Sequence, residues 1–262
     1  MAHVISADGT RIAYERSGSG PAAILIDGAL CSRALGPMKS VATLMASRFT
    51  VIRYDRRGRG ESGNTQPYSV DREIDDLEAL IKEIGGAPSL FGISSGAVLA
   101  IKAAARGLHL RKIALFEPPV IPRSSDAVKT ATPNHVARLS EFITSNRPSQ
   151  AVKYFLSTMV GVPSFVVAVM RVLPVWSKLK AVAHTLPYDA ELTQDGSLSV
   201  KQLAAIRPPA LVIWGEKSPA FLKEAAAQVA DALPGSSRRE LKGQSHNASG
   251  KALAPVLGEF LE

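Results

Sequence analysis

Short runs of β-branched and apolar residues alternate along the chain with longer stretches in which apolar positions recur every three or four residues. The short runs predict strands over residues 3–7, 11–16, 22–27, 50–54, 89–92, 112–116, 210–214 and 238–241. The longer stretches predict helices over 70–84, 95–106, 220–233 and 251–261. Strands that alternate with helices form βαβ units, so the expected fold class is α/β, with a mostly parallel eight-stranded sheet covered by helices on both faces. The first two strands are separated only by Asp8-Gly9-Thr10, a turn that suits an antiparallel hairpin at one edge of the sheet.

The alternation stops after the sixth strand. Residues 122–192 contain no strand pattern but carry helical spacing over 135–145, 149–159, 165–173 and 177–186, punctuated by Pro133, Pro148, Pro163 and Pro174. A helical insertion at this point is expected to form a lid over the crevice at the strand ends, where open α/β sheets bind ligands. The expected division is therefore a core of residues 1–121 and 193–262, with a lid over 122–192. Of the apolar residues Phe155, Met159, Val160, Phe165, Met170, Leu173 and Trp176, most are expected to pack the lid and a minority to face the pocket.

Composition narrows the chemistry. A chain of 262 residues that is 46% hydrophobic buries enough surface to need neither disulfide nor structural metal. Cys31 is the single cysteine, which rules out an internal disulfide, and no Cys/His group has zinc-ligand spacing. No dinucleotide fingerprint occurs either, so no cofactor and no metal are expected. The N-terminus has no secretory signal pattern, and the apolar stretch 160–175 is broken by Pro163, Arg171 and Pro174. A cytoplasmic protein without membrane insertion is the expectation. The net charge of +8 is dispersed; its densest group, Arg53, Arg56, Arg57 and Arg59, lies in one turn with no basic helix beside it. Nucleic acid is therefore not the expected partner, and a small acyl compound is; oligomeric state is not legible.

Gly92-Ile93-Ser94-Ser95-Gly96 lies between a predicted strand and a predicted helix. This is the G-x-S-x-G nucleophile elbow in the strand–turn–helix setting that gives the motif meaning. Its small flanking residues admit a tight turn, and the helix N-terminus favours developing negative charge. Serine needs a base to take its proton. His246, in the loop Gly243-Gln244-Ser245-His246-Asn247-Ala248 after the last strand, has the place in chain order that a base requires. His3, His109, His135 and His184 fall in or beside predicted strands and lid helices and are poorer candidates.

With these residues in view the chain outside the lid resembles the α/β-hydrolase superfamily. Three further segments carry the resemblance: Leu25-Ile26-Asp27-Gly28-Ala29-Leu30, Asp55-Arg56-Arg57-Gly58-Arg59-Gly60-Glu61-Ser62, and Leu211-Val212-Ile213-Trp214-Gly215-Glu216-Lys217-Ser218. They are similar to the family's oxyanion loop, its D-x-R-G-x-G-x-S turn and its seventh strand with acid loop. The resemblance implies an oxyanion hole formed by the backbone N–H groups of Ala29 and Ser95. Two departures stand out. Asp27 occupies the place of the usual histidine, and Ser218 occupies that of the usual triad aspartate. Glu117, ending the sixth strand, and Glu216 are the alternative acids, with Glu117 favoured.

The function implied is a serine hydrolase that cleaves a carboxylic ester or lactone, acylated lactones included, through an acyl-enzyme. Serine at the elbow disfavours the dehalogenase and epoxide-hydrolase chemistries, which use aspartate there. Thioesterase and C–C hydrolase chemistry share the serine constellation. A non-catalytic or slow-turnover ligand-binding protein on the same fold is the alternative from another class.

Overall fold

The computed structural model describes residues 2–122, 134–194 and 198–262. The chain begins with β1 (Ala2–Ile5), β2 (Arg11–Ser17) and β3 (Ala22–Ile26), then helix α1 (Met38–Met45) and β4 (Thr50–Tyr54). Helix α2 (Val70–Ile84), β5 (Ser89–Ile93), α3 (Ser95–Ala105) and β6 (Ile113–Phe116) follow. Next come α4 (His135–Thr144), α5 (Pro148–Tyr154), α6 (Ser164–Met170), α7 (Val175–Ala181), α8 (Leu186–Thr193) and α9 (Val200–Ala204). The chain closes with β7 (Ala210–Gly215), α10 (Ala220–Ala232), β8 (Ser237–Leu241) and α11 (Gly250–Leu261).

All eight strands join one sheet in the order β1-β2-β4-β3-β5-β6-β7-β8. β1 pairs antiparallel with β2, and β2 with β4; every other pairing is parallel. The central strands are buried on both faces, so their alternate residues feed two separate cores. Ile24, Ile52, Leu90, Ile113 and Val212 pack with α2, α3 and α10 on one side. Leu25, Val51, Phe91, Ala114 and Ile213 pack with α1 and α11 on the other.

Among the described residues, 134–194 hold no strand. Their helices enclose a third apolar cluster that includes Leu139, Phe142, Val152, Val167, Trp176 and Leu186. The first part of the expected lid, residues 123–133, lies outside the described residues. Two expected helices are divided: α5 gives way to a π-helical turn over Phe155–Met159, and α7 is separated from α8 by a 3-10 turn over Ala183–Thr185. Among the described residues, no helix is long and apolar enough to cross a membrane.

Candidate active site

The residues singled out in the sequence gather where β3, β5, β6 and the loop after β8 end together. Ser94 stands between β5 and α3 with φ 55° and ψ −122°, a conformation that costs a non-glycine residue roughly 1–3 kcal/mol. The turn is that tight because its neighbours lack side chains. A Cβ on Gly92 would overlap the Gly96 carbonyl, and a Cβ on Gly96 would overlap that of Ile26. The loop after β3 runs close by, since a Cβ on Gly28 would lie 3.3 Å from the Ser94 Cβ. The backbone N–H groups of Ala29 and Ser95 have no acceptor among the described residues, and both residues line one cavity with Ser94 and His246.

Glu117 follows β6 with φ 48° and is fully buried. Its Oε2 lies 2.6 Å from Nδ1 of His246. Its Oε1 accepts a hydrogen bond from the Gly215 N–H at 2.7 Å and another from the Ser218 hydroxyl. The serine at the usual acid position therefore acts as a donor to the carboxylate of the neighbouring strand. Glu216 points elsewhere: its Oε2 accepts from the Gly243 N–H at 2.7 Å. His246 is brought to Glu117, while His3 is not near the site; His135 lines the cavity and shares a 2.9 Å hydrogen bond through Nδ1 with the Tyr154 hydroxyl.

Asp27 is buried, with Oδ1 lacking a hydrogen-bond partner. Burial raises its pKa to about 7 in spite of the attraction of Arg59, Arg53 and Arg56, so the neutral acid is favoured up to that pH. It is not among the residues lining the cavity. Cys31, beside it, has its thiol pushed up to about 12 by burial, with the charge of Asp27 adding to the effect.

The arginine-rich turn is interior. Arg53, Arg56, Arg57 and Arg59 are all buried, and each has carboxylate or carbonyl partners. Asp189, from α8, joins two of them. Its Oδ1 accepts from Arg56 Nη1 and from the Ser95 hydroxyl, both at 2.8 Å, and its Oδ2 accepts from Arg59 Nη2 at 2.6 Å. Burial alone would raise the pKa of Asp189, but Arg59 and Arg56 outweigh it and hold the carboxyl below its ordinary value. Arg56 also forms a two-pronged pair with Glu73 of α2. Asp189 carries no sequence motif, and its one sequence signal is the cluster of arginines at the end of β4 and in the turn after it, which need carboxylates once buried.

The cavity has a volume of about 570 Å³. Phe155, Met159 and Val160 line it, as expected of a minority of the apolar residues in this segment. Phe165 and Leu173 are exposed and Trp176 is packed in the helical cluster instead. Asn134, Thr158, Thr193 and Gln194 add polar groups that sequence reasoning missed. Among the described residues, no group of His, Cys, Asp and Glu could hold a metal ion.

Residues 28–255 match the model of the Alpha/beta hydrolase family; the chain belongs to that family. It is 45% identical to an alpha/beta hydrolase from Sphaerobacter thermophilus DSM 20745 over 100% of both chains, with a TM-score of 0.91. The enol-lactonase from Burkholderia xenovorans LB400 is 20% identical over 99% of both chains, with a TM-score of 0.74. A thermophilic esterase from Thermogutta terrifontis is 22% identical over 99% of this chain and 97% of that one, with a TM-score of 0.75. At these lower identities the likeness is one of fold. The match to an uncharacterized hydrolase of Bacillus subtilis is 35% identical but spans only 35% of that protein's length.

Proposed function

We propose that the protein is a serine hydrolase that cleaves carboxylic esters or lactones through an acyl-enzyme on Ser94. The observation that carries the reading is the pairing of His246 Nδ1 with the buried Glu117 carboxylate, 2.6 Å apart, where His246 lines the same cavity as Ser94. With Nδ1–H donated to Glu117, Nε2 has its lone pair free to take the Ser94 proton. The Ser94 oxygen then bonds the carbonyl carbon, and the N–H groups of Ala29 and Ser95 receive the charge on the carbonyl oxygen. Protonated His246 returns its proton to the departing alkoxide. Water, deprotonated by the same histidine, attacks the acyl-enzyme; collapse of that second intermediate releases the acid and restores Ser94.

The segment 122–192, whose described helices are α4 to α8, acts as the lid in this reading. A cavity of this size, lined by both apolar and polar side chains, suits a compact acyl group better than a long chain. The esterase and the enol-lactonase of similar fold support the choice of ester and lactone as substrate classes. The test pairs a fluorophosphonate probe with a panel of p-nitrophenyl esters and lactones. Wild type should label at Ser94 and turn over at least one compound, and Ser94→Ala should do neither while unfolding at the same temperature. An unlabelled wild type that still binds panel members points to a binding protein, and activity in Ser94→Ala within about tenfold of wild type sinks the assignment.

A further inference from the structure

The peptide unit that carries the Ala29 N–H also carries the Gly28 carbonyl, and in a trans peptide these two groups point in opposite directions. The Gly28–Ala29 bond is trans. Arg59 Nη1 donates to the Gly28 oxygen at 2.6 Å, which fixes the plane of that unit and turns the Ala29 N–H to the side away from Arg59. A guanidinium on the carbonyl also polarises the amide and makes its N–H a stronger donor. Arg59 is held in turn by Thr185, whose hydroxyl oxygen accepts from Nε at 3.2 Å, and by Asp189 through Nη2. The same Asp189 accepts from the Ser95 hydroxyl, so one carboxylate is bonded on both sides of the site. Arg59, Thr185 and Asp189 are each no more than 1% exposed. Arg59 occupies a position that the D-x-R-G-x-G-x-S pattern leaves open.

We propose that Arg59 is a positioning residue for the oxyanion hole, which it aims through the Gly28 carbonyl, and that Thr185 and Asp189 of the helical segment hold it there. The proposal rests on the serine-hydrolase reading and adds to it a route by which that segment sets the strength of transition-state binding. A positioning role of this kind acts on the tetrahedral state and leaves the bound substrate alone.

The experiment compares wild type, Arg59→Lys and Thr185→Val, each checked by thermal unfolding. A lysine ammonium cannot span Gly28, Thr185 and Asp189 together. Arg59→Lys should lower kcat by about 10- to 100-fold, a part of what losing an oxyanion donor costs, with KM within about threefold. The affinity for an alkylboronic acid, whose adduct on Ser94 places an oxygen in the hole, should fall by the same factor as kcat. Thr185→Val removes the Nε anchor, together with the local 2.8 Å bond from the Thr185 hydroxyl to the Val182 carbonyl, and should show the same signature at roughly threefold; it decides the matter alone if Arg59→Lys does not fold. The acid limb of the pH profile should stay in place, because His246 and Glu117 are untouched. Unchanged kcat and boronate affinity in a folded variant, or a loss confined to KM, overturns the proposal. A wild type inert to boronate and to fluorophosphonate indicts the serine-hydrolase reading instead.

Discussion

Replacing Glu117 by glutamine changes one oxygen for an NH₂ group, and the hydrogen bonds around the carboxylate dictate which oxygen is lost. Oε1 faces two donors, the Gly215 N–H and the Ser218 hydroxyl, so the amide oxygen must take that place. The NH₂ group is thereby left where Oε2 now meets Nδ1 of His246, at 2.6 Å. An amide there donates, so Nδ1 must accept, and the ring proton moves to Nε2. In that tautomer Nε2 can no longer take a proton from Ser94. The corresponding change in a serine-protease triad lowers kcat by about 10⁴, equivalent to about 5 kcal/mol of barrier. Glu117→Gln should therefore lose on the order of 10³ to 10⁴ in kcat on a p-nitrophenyl ester while its unfolding transition stays cooperative. Glu216→Gln disturbs only the exposed contact with Gly243 and should remain within about threefold of wild type. Glu117→Gln within tenfold of wild type, or the two losses reversed, would refute the reasoning.

Two further outcomes test the surroundings of the site. The pKa of Asp27 is raised from 3.8 to about 7, so the unfolded chain ionises first and stability falls as pH rises between those values. Asp27→Asn should consequently stabilise the fold little near pH 4 and increasingly up to pH 8, by at most about 4 kcal/mol; a thermal shift independent of pH would contradict this. Gly96→Ala forces a methyl into the Ile26 and Asp27 carbonyls and should cost on the order of 3 kcal/mol in chemical denaturation. An unaltered denaturation midpoint would show that the elbow has more room than its geometry implies.

The core was legible because burial on both sheet faces writes continuous apolar runs such as Ala210–Gly215, and the Ser94 and His246 loops fall between elements that composition marks clearly. Helix α1 was missed although Met38, Val41, Ala42 and Met45 have helical spacing and are all buried; eight residues after Gly36-Pro37 resemble a loop. The short helix α9 was also missed, although Ser199 and Gln202 form a capping box at its start. Within the helical segment, the spacing over 177–186 predicts one helix, whereas Pro187 lies in the first turn of a new one, α8. Contacts between distant parts of the chain left little trace. Glu117 was distinguished from Glu216 only as the better candidate, and the partnership of Asp189 with Arg56 and Arg59 spans 133 and 130 residues. Local pattern carries no information about such a pairing, which exists only once the helical segment has docked.

That docking seam limits how freely the segment can be exchanged. Much of a helical cap rests on apolar contact, which tolerates substitution and retains its adhesion in a chimera. Here α8 also delivers Asp189, buried between two guanidinium groups that face it from the core. A graft from another scaffold that lacks Asp189 would leave Arg56 with Glu73 as its one carboxylate partner among the described residues and Arg59 with no carboxylate among its remaining hydrogen-bond partners. Stranding a buried cation in this way commonly costs about 3–5 kcal/mol. Engineers recombining caps should therefore inherit α8 and the arginine turn as one cassette, with crossover points placed before Ala183 and after Thr193.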